Sequence, residues 1–398
     1  MDRANALNMS STSNMQPKMS SLFKLAYMLL FVLAPLGLTT IPVVLLFIDA
    51  LVRRQTWPRG RLGFFGACLG LLLALLAASA VFSPRPLVAA ATTSVFALVV
   101  GAVILPVARL VNGPGTGEFE EFLRKTALPL SAIGTVLMAL VLLYQALVLH
   151  QPRALGFAGA NGSGTTLILG TGLGLGWLLS AGRQRSWLVM PFAFLSLGAV
   201  IATMSRGAWI GFFVMLAILA LRDRRILLAA MGVAVAFVVA VSVEPALSAR
   251  FARIFQPELN LDRLQLWQTA LRMLADRPLL GFGAGVFPYV YPEYSAPGAL
   301  YDQYAFAHNI FLQLALDGGI PTLAVFIALV VETVRRGMRL WRRAEPAFWG
   351  LLPAFAGVMV HQQVDLPVYG IHIGGGFWAL TGLIAVLGDA QRLKVREN

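Results

Sequence analysis

Residues Leu261 to Pro321 read LDRLQLWQTALRMLADRPLLGFGAGVFPYVYPEYSAPGALYDQYAFAHNIFLQLALDGGIP. This stretch gathers arginines, tyrosines, a glycine-rich turn and His308-Asn309 at the mouth of an apolar run, whereas nearly everything around it reads as hydrophobic helix. Of 398 residues, 58% are hydrophobic and only 12% are charged, which is far from soluble-globular usage. The fold class follows: an all-α polytopic membrane protein with one large loop. The net charge of +13 does not point to nucleic acid, because the basic residues punctuate apolar runs and form no face. Cys68 is the only cysteine, so no internal disulfide is available.

Working outward, apolar runs fall at about 22–34, 36–51, 62–82, 87–108, 126–149, 164–181, 187–204, 207–221, 226–243, 308–334, 346–361 and 369–388. A span needs roughly 20 residues. Residues 22–51 read as one long tilted helix or as two short ones, and Pro35 with Gly37 favours the break. Charge decides the parity. With twelve spans and both termini in the cytoplasm, twenty-three of the 31 Lys and Arg lie inside, as the positive-inside rule asks. The expected outer set is Arg85, Arg153, Arg206, Arg250, Arg253, Arg263, Arg272 and Arg277, all arginine, a residue whose planar fork suits phosphate. The chain then divides into a tail 1–21, helices in 22–243, an outer loop 244–307, helices in 308–388 and a tail 389–398. No cleavable leader is expected, since the first twenty residues lack a short apolar region with a cleavage site.

Met204-Ser205-Arg206-Gly207-Ala208-Trp209 interrupts two apolar runs with a turn too short to leave the membrane interface, so Arg206 is held where an unpaired charge is costly. In the outer loop, Leu264, Trp267, Leu271 and Leu274 mark the expected apolar stripe of a helix over Leu261 to Asp276. Arg263 and Arg272 then point in roughly opposite directions, and Arg263 is preferred for the site. Gly281, Gly283 and Gly285 predict a tight turn, and Gly170, Gly172, Gly174 and Gly176 a helix that packs closely. Tyr289, Tyr291, Tyr294, Tyr301 and Tyr304 read as interfacial aromatics or as sugar-stacking surfaces. A helix N-terminus disfavours imidazolium, so a histidine at His308-Asn309 suits proton acceptance. Farther on, Gln313 and Asp317-Gly318-Gly319-Ile320-Pro321 place a carboxylate and a helix break inside a span, and Arg206 is a candidate partner for Asp317. His361, Asp365 and His372 raise the question of a metal, but no HExxH or DxD accompanies them, so no metal and no cofactor is expected.

Ser205-Arg206-Gly207-Ala208-Trp209, the Arg263 to Trp267 segment with Pro278-Leu279-Leu280-Gly281-Phe282-Gly283, and His308-Asn309-x-x-Leu312-Gln313 followed by Gly319-Ile320-Pro321 together resemble the O-antigen ligases and the related polymerases and protein-glycosylating ligases. The likeness covers roughly residues 190 to 385, and Asp317 stands where the pattern more often has Glu. The resemblance implies a multi-span, GT-C-like glycosyltransferase of the bacterial inner membrane with its active site facing the periplasm. It would move O-antigen polysaccharide from undecaprenyl diphosphate to a hydroxyl of the lipid A-core oligosaccharide, without metal or nucleotide sugar. On this reading His308 is the general base, Arg206 and Arg263 stabilise the diphosphate, and Arg272, Arg85, Arg153, Trp209, Trp267, Asn309, Gln313 and Tyr301 contact substrates. A polymerase, a protein ligase or a non-enzymatic transporter of lipid-linked glycan is the alternative, and the transporter has no need of a base.

Overall fold

A computed structural model describes residues 19–52, 62–111, 116–180, 182, 184–256, 261–295, 305–343, 345–366 and 371–396, and among them all regular structure is helical. The first half holds α1 (Ser21–Leu33), α2 (Thr40–Val52), α3 (Gly63–Val81), α4 (Pro86–Val111), α5 (Thr116–Phe122), α6 (Leu128–Leu147), α7 (Gly159–Ser180) and α8 (Ser186–Ala202). There follow α9 (Arg206–Ala220), α10 (Arg224–Val243), the loop helices α11 (Pro245–Ala252), α12 (Leu261–Asp276) and α13 (Phe287–Tyr294), then α14 (Ile310–Arg343), α15 (Leu351–His361) and α16 (Ile371–Arg396). Each of the twelve apolar runs falls on a helix. Among the described residues, five helical stretches are long and apolar enough to cross a membrane: Gly63–Val81, Pro86–Ala108, Thr116–Leu147, Arg224–Val243 and Ile310–Arg342. Six more apolar helices are shorter. Among the described residues the chain is all-helical, with the apolar spans of a membrane protein.

The break at Pro35 separates α1 from α2. A 3-10 turn over Ala34–Leu36 and Gly37 at φ 73° end α1, and the two helices pack against each other. Near the middle of the bundle, α7 is buried along almost its whole length. Its glycines are the reason: a Cβ on Gly172 would lie 2.8 Å from Ala354 Cβ, and one on Gly176 would lie 2.8 Å from the Gly350 nitrogen. Small residues let helix backbones approach where lipid supplies no hydrophobic drive.

The long loop carries its own small core. Leu266, Ala270 and Met273 of α12 meet Phe287, Val290 and Tyr291 of α13, over Ala80, Ala89 and Leu316 of the bundle. The buried face of α12 therefore differs from the expected stripe. Leu264 is 39% and Leu271 54% exposed, and Trp267 and Leu274 are only partly buried. Leucines on a helix outside the bundle can face protein or another apolar environment, so leucine periodicity alone does not tell which face the protein covers.

After α12 the chain turns at Gly281, Gly283 and Gly285, all at positive φ, and wedges into a break in α14. Gly319 leaves helical geometry at φ 80° and ψ 177°, just before Pro321. The Ile320 N–H, freed by that break, donates to the Pro278 carbonyl at 2.7 Å, while the Phe282 and Gly283 N–H groups donate to the Leu316 and Asp317 carbonyls at 2.6 and 3.0 Å. Only glycine fits the crossing, because a Cβ on Gly319 would stand 2.2 Å from the Leu279 carbonyl oxygen. This interlock ties the loop to the helix that His308 precedes.

Candidate active site

His308 lies outside α14, one residue before its cap. Asn309 is the cap: its Oδ1 accepts from the Phe311 and Leu312 N–H groups at 3.0 and 3.1 Å, as short polar side chains do at helix starts. Three successive residues then run along the segment that follows α15. The Ile310 N–H donates to the Gln362 carbonyl at 3.0 Å, Asn309 Nδ2 to the Gln363 carbonyl at 3.1 Å, and His308 Nδ1 to Asp365 Oδ1 at 3.1 Å. The preceding residue is fixed as well. The Ala307 N–H donates to Gln313 Oε1 at 2.8 Å, and its carbonyl accepts from Trp267 Nε1 at 3.1 Å. His308 itself sits at φ 51°, a conformation that non-glycine residues adopt at a cost and that clusters at functional sites.

With Nδ1–H given to Asp365, the ring presents Nε2 as a proton acceptor. The imidazole is 20% exposed and the carboxylate 11%, so the ring is partly open to solvent while its partner is more covered. Burial pushes the Asp365 carboxyl up, but the hydrogen bond from His308, the imidazoles of His361 and His308 and the Leu366 N–H outweigh it and hold the group below the usual carboxylate value. The orientation of His308 is thus set by a carboxylate 57 residues away as well as by the nearby helix start.

Arg206 opens α9 after Met204 at φ 53° and extended Ser205. Its Nη1 donates to the Arg253 carbonyl at 3.0 Å. Two more arginines clamp the same turn: Arg250 Nε donates to the Met204 carbonyl at 3.0 Å and Arg153 Nε to the Thr203 carbonyl at 3.1 Å. Arg263 occupies the first turn of α12, four residues before the Trp267 that touches Ala307, and its Nη1 is buried with no hydrogen-bond partner among the described residues. These groups form one positive basin. Burial, with Arg206, Arg153 and Arg253 adding and Asp262 opposing, brings Arg250 down to about 10. Arg153 is lowered first by burial and then by Arg263, against the pull of Asp365, so it links the arginines to the His308 pair.

Other expected site residues are placed elsewhere. Arg272 turns away from Arg263, donating to Thr269 Oγ1 and the Tyr294 carbonyl at 3.0 and 3.1 Å, and Arg85 lies 5.7 Å over the Tyr289 ring. Both face α13. Gln313 and Trp209 are buried braces: Gln313 Nε2 donates to Asp317 Oδ1 at 2.9 Å and Trp209 Nε1 to the Val200 carbonyl at 3.1 Å. Asp317 is accordingly held by Gln313, one turn back, and Arg206, its expected partner, is engaged with Arg253. Tyr301 and the side chain of His372 lie outside the described residues. His361 and Asp365, considered above as metal ligands, are engaged instead with Thr165 and His308.

Beside the arginines, an apolar groove of about 370 Å³ runs between α9, α10 and α11, lined by Trp209, Ile210, Phe213, Phe237, Phe251 and Ile254. Phe251 and Ile254 directly follow Arg250 and Arg253 in the chain, so part of the groove's wall adjoins residues of the arginine cluster. An anion with an apolar tail matches this pairing.

No curated protein matches the chain. Residues 191–327 match the family model described as O-Antigen ligase (Wzy_C), a segment that contains Arg206, Arg250, Arg263 and His308 and stops short of Asp365. Over that segment the chain is similar to the O-antigen ligase family.

Proposed function

We propose that this chain is a membrane glycosyltransferase that moves O-antigen polysaccharide from undecaprenyl diphosphate to a hydroxyl of the lipid A-core oligosaccharide, at the periplasmic face of the bacterial inner membrane. His308 Nε2 takes the proton of the acceptor hydroxyl while Asp365 holds Nδ1–H. The acceptor oxygen attacks the anomeric carbon from the face opposite the diphosphate, the bond from that carbon to the phosphate oxygen breaks, and the product is inverted. The electron pair leaves with undecaprenyl diphosphate, whose added negative charge is met by Arg206 and Arg263, with Arg153 and Arg250 completing the basin. Groups aimed at charge that develops in the transition state lower the barrier more than those that bind the ground state. The carrier's isoprenoid chain occupies the groove below Arg206.

The observation that carries this reading is the His308–Asp365 pair beside a basin where an Arg263 nitrogen is buried without a partner. A transporter has no use for an imidazole so oriented. The test uses purified full-length protein with carrier-linked glycan and rough lipopolysaccharide. His308→Ala is expected to abolish transfer while donor binding persists. Unimpaired transfer by that variant removes the mechanism, and wild-type transfer to a second carrier-linked unit or to a peptide, in place of lipopolysaccharide, replaces the ligase with its relatives.

A further inference from the structure

His361 is a buried, ionisable side chain that the mechanism above does not use. It closes α15, is 1% exposed, and is surrounded by membrane helices. Its two ring nitrogens face different elements. Nδ1 lies 2.9 Å from Thr165 Oγ1 of α7, and Nε2 lies 3.5 Å from Ser205 Oγ, the residue that precedes Arg206. The Thr165 hydroxyl also reaches the Asn161 carbonyl at 3.3 Å, so the His361 ring stands between the α7 polar group and Ser205. The polar chain runs farther: Asn161 Oδ1 accepts from Arg153 Nη2 at 2.5 Å, and the Ser205 N–H donates to Thr203 Oγ1 at 3.2 Å. Space is reserved for the ring, since a Cβ on Gly207 would lie 2.7 Å from His361 Cδ2.

The backbone of His361 continues directly into Gln362, Gln363 and Asp365, the three residues that hold Ile310, Asn309 and His308. One side chain therefore bonds the arginine turn, and the chain it belongs to carries the partner of the base. A buried polar group is retained only where its bonds are made, and an apolar side chain of the same size would fill the cavity without joining these elements. We infer that His361 is a positioning residue for glycan transfer: its ring holds the Ser205-Arg206 turn in register with Asp365, so that the arginines and His308 act on one substrate. The inference rests on the proposed transferase reading.

The experiment measures kcat and KM for carrier-linked glycan, with rough lipopolysaccharide as acceptor, alongside the thermal midpoint. His361→Leu is expected to lower kcat by about 10- to 100-fold, the scale of a displacement of about 1 Å at reacting groups, with KM for the donor changed less than about twofold. His361→Gln, which keeps a polar atom near the Nε2 position, is expected to recover part of that loss. Ser205→Ala is expected to lower kcat severalfold in the wild-type background and to do nothing further in His361→Leu, because coupled residues are non-additive. A wild-type kcat in His361→Leu overturns the inference, as does a loss confined to the midpoint or to KM. If His361→Leu does not fold, Ser205→Ala and Thr165→Val decide: unchanged kcat in both overturns the inference. His308→Ala is the control. Loss of transfer there with full activity in His361→Leu rejects the positioning role alone, whereas activity in His308→Ala rejects the function it rests on.

Discussion

Two regions of this molecule hold arginine away from water, and they treat it in opposite ways. At the end of the bundle far from His308, Arg336 is 3% exposed, and each of its three guanidinium nitrogens is engaged. Nε pairs with Glu332 at 2.8 Å, Nη1 donates to the Ala385 carbonyl at 2.8 Å and Nη2 to the Leu62 carbonyl at 2.9 Å, with the Phe65 ring 5.7 Å away. At the site end, Arg153, Arg206, Arg250 and Arg263 crowd one another; the first three are clamped to backbone carbonyls, and Arg263 Nη1 is buried without a partner among the described residues. A charge buried for structure is neutralised where it lies. One that receives an anion, as proposed for Arg263, is left with positive neighbours and unused donors.

The comparison extends to the carboxylates. Glu332 holds a cation that never gives up its proton, whereas Asp365 holds an imidazole that can. Asp365→Asn breaks this most severely, because an amide that donates to Nδ1 moves the ring proton to Nε2 and removes the base. Transfer is expected to fall by about 10²- to 10⁴-fold, the range of a lost general base, as measured by turnover with carrier-linked glycan. The pH dependence carries a sign. The Asp365 carboxyl is held below its ordinary value in the folded protein, so its contribution to stability is full above the ordinary carboxylate pKa and is lost as pH falls through the lowered one. Thermal melts below about pH 4, the ordinary carboxylate range, should therefore destabilise the wild type more than Asp365→Asn. An equal acid response would deny the pairing its energetic role.

Next in size comes an exchange of phenotypes between the two arginine regions. Arg336→Ala removes one partner of a buried pair and is expected to cost about 3–5 kcal/mol of stability, while each folded molecule turns over as before. Arg263→Ala should do the reverse. Losing a donor aimed at developing charge lowers turnover by about 10²- to 10³-fold, and the melting temperature holds or rises because a like charge has been removed. Denaturation in detergent and turnover per folded molecule separate the two. If Arg263→Ala unfolds the protein and leaves kcat intact, the distinction drawn above fails.

Much of this was legible in the sequence, for definite reasons. Each apolar run became a helix because helices satisfy backbone polar groups within a segment in lipid. Arg206, Arg263 and His308 stand out as charged or polar groups interrupting those runs, and the 180° opposition of Arg263 and Arg272 follows from helical geometry. Indeed Arg272 turns to Tyr294. The role of Asp365 was not legible, since it pairs with a residue 57 positions away across a hairpin of two membrane helices, and no local spacing encodes that contact. Asp317 invited a basic partner because intramembrane carboxylates usually have one, and an amide one turn away also donates to it, a partner that charge alone does not signal. Leu264 and Leu271 misdirected the reading of α12, for an outward leucine can face an apolar environment other than the protein.

The smallest expected effect concerns backbone strain, which also divides the two ends. Among the described residues, the non-glycine residues at positive φ are His150, Met204 and His308, all toward the site end, while the far end uses Gly63 and Gly182. Met204 at φ 53° sets the turn whose carbonyl is held by Arg250 and from which Arg206 projects. A left-handed conformation costs a side chain about 1 kcal/mol or more, and the surrounding clamps maintain it. Met204→Gly relieves that cost, so the melting temperature is expected to rise slightly or hold, offset in part by the larger entropy of glycine in the unfolded chain. The same change gives the turn freedom to adopt other geometries, and turnover is expected to fall severalfold with donor binding nearly unchanged. Gly63→Ala at the far end, also at positive φ, should show only a small loss of stability and no loss of turnover. Parallel behaviour of the two variants would mean that strain at Met204 serves the fold alone; divergence would tie it to the placement of Arg206.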